Sequence, residues 1–204
     1  MPLPEMHAMK LRQVDVPFDD DEWIFEIKHD GFRALAYIEN GECRLVSRNN
    51  NRYTRFKKLA HRMSAEIGAK TAILDGELVC LGPDGRSMFD DLMFNRAEPI
   101  FAAFDLLYLD GCDLRDLPLL ERKRRLEGML VPPARWIMYV QHVDTHGAAL
   151  FQKMCNIDAE GIVAKPRSSP YREVDGRSTW LKIKNSAYSQ AEGRGELFNQ
   201  RTAD

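Results

Sequence analysis

Glu26-Ile27-Lys28-His29-Asp30-Gly31-Phe32-Arg33 is the stretch from which the chain can be read. Trp23-Ile24-Phe25 precede it, and Ala34-Leu35-Ala36-Tyr37-Ile38 follow it. Both are apolar runs of strand length, and Asp30-Gly31 between them is a turn signal. The segment reads as strand, sharp turn, strand. Lys28 then ends a strand among apolar neighbours, where an ammonium group is costly to desolvate. Such a lysine either snorkels back to water or, with a depressed pKa, acts as a nucleophile. The segment by itself leaves both readings open.

Working outward, Asn40-Gly41 is a strong hairpin signal, so 33–39 and 42–47 should pair antiparallel. Towards the N-terminus, residues 1–22 form a proline-containing lead-in. It ends in the acidic run Asp19-Asp20-Asp21-Glu22, read as a solvated loop. Past the hairpin, a polar, basic loop spans 48–55. Phe56, Leu59, Ala60, Met63 and Ile67 then recur at helical spacing up to Gly68. Residues 72–81 read as a strand carrying Asp75 and Glu77, 87–96 as a short helix, and 100–109 as a central strand, apolar but for Asp105. A helix over 118–130 carries Arg122-Lys123-Arg124-Arg125, read as a solvated basic face, and Pro132-Pro133 ends it. A strand at 137–140, a helix at 148–157 and short strands at 161–165 and 180–184 complete the pattern. Many short strands with interspersed helices predict an α+β fold, mainly antiparallel. One domain over 1–188 and a fraying polar tail over 189–204 are expected.

The totals are compatible with one domain. Apolar residues make up 44% of 204, enough for a core, and the formal charge of −2 carries no global field for nucleic acid. A nucleic-acid partner must be held by local patches. Cys43, Cys80, Cys112 and Cys155 are scattered, without metal-binding spacing, and read as reduced thiols of a cytoplasmic protein. No signal-peptide core and no membrane-spanning stretch is seen.

Charged residues at strand ends carry the chemistry: Lys28, Arg33, Glu77, Glu160, and the pair Lys182/Lys184. Lys182 and Lys184 are two apart on a strand and so share a face. Two ammonium groups there repel unless an anion lies between them. Glu77 sits among apolar neighbours, and Glu160 immediately precedes a strand. Groups of this kind must meet each other, a metal or a ligand. A phosphate with a hard divalent cation would reconcile them; structural salt bridges are the competing account. No P-loop and no Gly-x-Gly-x-x-Gly unit is present.

In sequence order, these residues resemble the nucleotidyltransferase domain of ATP-dependent DNA ligases, which RNA ligases and mRNA capping enzymes share. Lys28-His29-Asp30-Gly31-Phe32-Arg33 fits the family's Lys-x-Asp-Gly-x-Arg motif. Ser47-Arg48-Asn49, Asp75-Gly76-Glu77-Leu78, Ala103-Phe104-Asp105-Leu106-Leu107, Glu160-Gly161-Ile162-Val163-Ala164-Lys165 and Trp180-Leu181-Lys182-Ile183-Lys184 fit those that follow. The run Asp113-Leu114-Arg115-Asp116-Leu117-Pro118-Leu119-Leu120-Glu121-Arg122 looks most like the bacterial end-joining ligases, which implies DNA repair by end joining.

The resemblance implies an ATP-grasp-like nucleotidyltransferase fold. It also implies that Lys28 attacks the α-phosphate of ATP and keeps AMP as a phosphoramidate. A free lysine titrates at about 10.4, so this amine must be depressed to attack near neutrality. Arg33 and Glu77 would hold the ribose, Phe104 would stack on adenine, and Glu26, on the face of Lys28, would read the adenine edge. Arg48 would contact the nucleotide or a DNA 5′-phosphate. Glu77 and Glu160 would hold Mg²⁺ (or Mn²⁺), and Lys182 and Lys184 the α-phosphate. His29 stands where relatives are often aromatic and is expected only to pack. The implied substrate is nicked or broken double-stranded DNA.

The family's ligases continue into an OB-fold domain, and the sequence runs from Lys184 only to Asp204. A DNA-binding or OB-fold partner is therefore expected to assist. An RNA ligase, or a non-catalytic module binding nucleotide or DNA ends, is the alternative. His142-x-Asp144-x-His146 lacks a third strong metal ligand. The run from Arg48 to Lys58, with Tyr53 and Phe56 among basic residues, is a nucleic-acid candidate.

Overall fold

The computed structural model describes residues 3–173 and 176–191. The chain order is β1 (Arg12–Gln13), β2 (Asp20–Ile27), β3 (Phe32–Glu39), β4 (Glu42–Ser47), α1 (Lys57–Ser64), β5 (Thr71–Val79), α2 (Phe89–Met93) and β6 (Ile100–Leu109). It continues with β7 (Cys112–Asp113), α3 (Leu119–Met129), β8 (Ile137–Tyr139), β9 (His142–Thr145), α4 (Gly147–Asn156), β10 (Gly161–Pro166) and β11 (Leu181–Lys184). A five-stranded sheet has the order β1-β11-β10-β2-β9, and a six-stranded sheet contains β4-β3-β5-β6-β7 with β8 beside β6. Most pairings are antiparallel, as the α+β reading expects; β1 with β11 and β6 with β8 are parallel.

The strands flanking Lys28 do not pair with each other. β2 pairs with β10 and β9, whereas β3 pairs with β4 and β5. Asp30-Gly31 is thus a crossover from one sheet to the other. A Cβ on Gly31 would meet the Leu78 carbonyl oxygen at 2.0 Å, so only glycine lets the chain pass here. Asn40 and Gly41, at φ 53° and 79°, make the expected tight turn of the β3–β4 hairpin.

Period-two alternation distributes the strand residues between layers. Leu35 and Tyr37 of β3 meet Ile24 of β2, together with Ile73, Leu107 and Trp180, between the sheets. Ala34, Ala36 and Ile38 face outward against Leu59 and Met63 of α1 and Leu126 of α3. Phe25, Ile162, Ala164, Leu181 and Ile183 pack on Met154 of α4.

Two expectations are corrected. Asp20, Asp21 and Glu22 belong to β2 and are not a loop. Arg167 bonds the backbone of two of them: its Nη1 donates to Asp21 O and its backbone N–H to Glu22 O, each at 2.9 Å. Arg122 and Lys123 of α3 are buried rather than part of a solvated face. Arg122 grips the buried Asp105 at 2.7 and 2.8 Å, and Lys123 reaches Glu26 and, at 2.9 Å, the Val140 carbonyl. Two buried carboxylates on the strands draw these bases inward, because neither charge is tolerated alone. At the start of the expected tail, residues 189–191 form a 3₁₀ turn, where the Ser189 backbone N–H donates to Asp158 and the Gln190 side chain to the Ser87 carbonyl. The rest of the expected tail, 192–204, lies outside the described residues.

Among the described residues, no helix is long and apolar enough to cross a membrane. The four cysteines are free.

Candidate active site

Lys28 stands one residue beyond β2, and its backbone N–H still donates to the Gly161 carbonyl at 3.0 Å. Its Nζ is 2.6 Å from Glu160 Oε2. Glu160 in turn immediately precedes β10, next to Gly161, where an added Cβ would meet the Ile183 carbonyl oxygen at 2.1 Å. The nucleophile candidate and one metal-ligand candidate are therefore in contact across two adjacent strands.

On β3, Arg33 lies opposite Glu77 of β5 in the register. Its Nε and Nη2 each donate to the Asp75 carboxylate at 2.6 Å. The Tyr171 hydroxyl donates to the same carboxylate at 2.6 Å. The Arg33 guanidinium carbon lies 4.7 Å from the centre of the Phe104 ring. Burial lowers the Arg33 pKa, but Asp75 outweighs it and holds the guanidinium firmly charged. Glu77 behaves in the opposite way. Burial pushes its carboxyl up to about 7; Lys28 and Arg33 pull it down, and Glu160 and Asp75 add repulsion.

A cleft of about 400 Å³ opens between the sheets, lined by Glu26, Lys28, Arg33, Glu77, Phe104, Lys165 and Trp180. Five of the eight residues foreseen to bind nucleotide, counting Lys28, meet here. Arg48, Lys182 and Lys184 do not line it. They stand at its Lys28 end: Lys184 Nζ is 3.9 Å from Glu160 Oε1, and partial burial, then Lys184 and Lys28, depress the Lys182 pKa. Arg48 contributes to that depression from an exposed loop. Lys182 and Lys184 do share a face, opposite Leu181 and Ile183, as their spacing requires.

Glu26 lines the cleft, but both its oxygens are taken. Oε1 is 2.5 Å from Lys123 Nζ and Oε2 is 2.5 Å from Lys165 Nζ. Burial alone would raise its pKa; the two lysines outweigh burial and hold it down. Lys165, in contrast, is pushed down to about 8 by burial despite Glu26. Its Nζ sits 4.4 Å from the Phe104 ring centre and 4.0 Å from that of Trp180. Beyond the Glu26 ion pair, no acceptor completes a hydrogen bond to it among the described residues.

Sequence reasoning assigned no role to Lys165, Trp180, Asp75, Tyr171 or Lys123. For Lys165 a signal existed: it is a lone charge on a strand, two residues from Val163 and so on the cleft face. For Tyr171, in an irregular loop, there was none. His29 packs as expected near Ser87 Oγ, at 3.4 Å. Burial, with Lys28 adding and Glu26 opposing, lowers its pKa to about 4. Among the described residues, no group of three or more His, Cys, Asp or Glu could hold a metal ion, which includes the 142–146 segment.

The site thus sets a lysine at the mouth of a cleft with an aromatic wall, opposed carboxylates and flanking amines. Residues 6–184 match the ATP dependent DNA ligase domain family, and the chain belongs to that family. It is 34% identical over 192 residues to the multifunctional non-homologous end joining protein LigD of Pseudomonas aeruginosa, covering 90% of this chain and 22% of that protein. It is 30% identical to the SPbeta prophage-derived DNA ligase-like protein LigB of Bacillus subtilis, covering 89% of this chain and 68% of LigB. Its fold matches that of mycobacterial DNA ligase D complexed with ATP and MES, with a TM-score of 0.72 and 30% identity over 88% of this chain and 60% of that one. The chain thus spans about a fifth of the Pseudomonas relative's length.

Proposed function

We propose that this chain is the adenylating unit of an ATP-dependent DNA ligase that seals nicks or broken ends in repair, in the cytoplasm and on nucleoid DNA. The observation that carries it is Lys28 Nζ at the mouth of the Phe104–Arg33 cleft, with Glu160 2.6 Å away. The Lys28 amine attacks the α-phosphorus of ATP. A nitrogen–phosphorus bond forms, the bond to the bridging oxygen breaks, and pyrophosphate leaves. Glu160 Oε2 is the proton acceptor in reach of the ammonium. A DNA 5′-phosphate oxygen then displaces the lysine, and a 3′-hydroxyl displaces AMP.

Arg33, fixed by Asp75, and Glu77 hold the ribose; Phe104 stacks on the base. Lys182, Lys184 and Arg48 receive the phosphates. Glu77 and Glu160 would hold Mg²⁺ or Mn²⁺. Both are hard oxygen donors that repel each other, and two carboxylates with phosphate and water oxygens suit magnesium. When bound, the ion neutralises charge on the phosphates. Incubation with α-labelled ATP and magnesium, followed by denaturing electrophoresis, tests the reading. Label should remain on the protein and pass to a 5′-phosphorylated nicked duplex. Protein that stays unlabelled would leave only a binding role.

A further inference from the structure

A second concave surface lies across the six-stranded sheet from the cleft. Arg33 points into the cleft; its neighbour Phe32 points the other way, into a cluster with Tyr53, Phe56 and Phe89. Beyond that cluster is a groove of about 1170 Å³, bounded by α1, the 95–99 loop and Trp136. Arg55, Lys57, Lys58, Arg62 and Arg96 line it, against one acid, Glu98. Arg62 pairs with Glu98 at 2.7 Å, while Lys57, Lys58 and Arg96 meet no carboxylate among the described residues. In a chain of net charge −2, this local excess is not a by-product of composition.

The groove floor is fixed. Glu66 accepts the backbone N–H groups of Arg135, Trp136 and Ile137 at 2.8, 2.8 and 3.0 Å. Arg62 lies 4.3 Å from the centre of the Trp136 ring, and Arg96 lies 4.9 Å from that of Phe94, which is 42% exposed. Guanidinium groups held over aromatic rings are pre-ordered donors for phosphate oxygens. One basic loop also connects the groove along the chain to the catalytic end. Arg48, whose charge reaches Lys182, and Arg52 are exposed on the same loop that leads to Arg55.

We infer that this groove carries the sugar-phosphate backbone of duplex DNA lying beyond the nick. The inference rests on the ligase reading and extends the substrate's path past the site of chemistry. Charge complementarity argues for it, because five basic residues line the groove against the single acid Glu98, and the basic loop from Arg48 leads along the chain to Arg55 at its edge.

Lys58→Glu/Arg96→Glu, compared with Lys58→Arg/Arg96→Lys, tests this on the full chain. ATP-driven labelling of Lys28 reports folding and should not change, since neither residue touches the cleft. Affinity for a long nicked duplex should fall 10- to 100-fold in the charge-reversed variant, and the slope of log affinity against log salt should flatten by about 2, near 0.9 per lost phosphate contact. The charge-retaining variant should bind as the unaltered protein does. A nicked duplex trimmed too short to leave the cleft should not discriminate between them. Unchanged long-duplex affinity, an equal loss on the short duplex, or equal competition by single-stranded DNA of the same length would each overturn the groove assignment. Absence of any Lys28 labelling would instead count against the ligase reading itself.

Discussion

Arg33 and Asp75 meet through two hydrogen bonds of 2.6 Å between the adjacent strands β3 and β5. Asp75 is fully buried. The guanidinium fixed in this way flanks Phe104 at 4.7 Å, so one ion pair shapes the cleft wall. Removing one member of a buried pair costs about 3–5 kcal/mol, because the other is left uncompensated. Asp75→Asn should lower stability by that amount and the melting temperature by roughly 10 °C. KM for ATP should rise, as Arg33 loses its aim. Thermal unfolding alongside ATP titration checks both.

Lys28→Arg keeps the charge but removes a usable amine. Covalent AMP should disappear, while thermal unfolding stays within a few degrees of the unaltered protein. Wild-type labelling in this variant would move the nucleophile elsewhere.

Base choice should depend on Lys165 rather than on Glu26 alone. Stacking on Phe104 is indifferent to the base, and both Glu26 oxygens already hold lysines. The Lys165 ammonium retains donors suited to an acceptor nitrogen of adenine; guanine has an N–H at the corresponding edge. ATP should label better than GTP. Lys165→Met should cut that preference at least tenfold, read as the ratio of the two labelling rates. It should also free Glu26 Oε2, so the change is best judged beside Lys165→Arg.

Glu77 titrates near 7 in the fold and at about 4.3 when unfolded. The folded state therefore holds the extra proton between these values, and stability falls as pH rises through that window. Glu77→Gln should leave the melting temperature unchanged at pH 4 and raise it at pH 8, while reducing magnesium-dependent labelling at least tenfold. Magnesium affinity of the unaltered protein should strengthen as pH rises past 7, when the proton no longer competes. A melting difference independent of pH would contradict the raised carboxyl.

His29 shifts the other way, to about 4. Between 4 and its unfolded value near 6.5, the unfolded chain binds the extra proton, so this residue's contribution to stability is lost as pH falls through that range. His29→Phe should flatten the acid limb of the melting curve without abolishing labelling.

The candidate site was legible where chemistry is written locally. Lys28, Arg33, Glu77 and Glu160 were found because charges at strand ends in apolar surroundings need partners, and Lys182 and Lys184 because a strand puts alternate residues on one face. The Asn40-Gly41 hairpin was equally visible, since its turn needs left-handed backbone. The sequence by itself thus determined most of the element types, part of the charged inventory of the cleft and the alternation that points it inward. What only the tertiary structure decided was which charges meet. That β2 and β3 belong to different sheets depends on the close pass of Gly31 beneath Leu78. That Arg122 and Lys123 turn inward depends on Asp105 and Glu26, far away in the chain. Desolvation is set by packing from every side, and no local pattern encodes which distant counter-charge will cancel it.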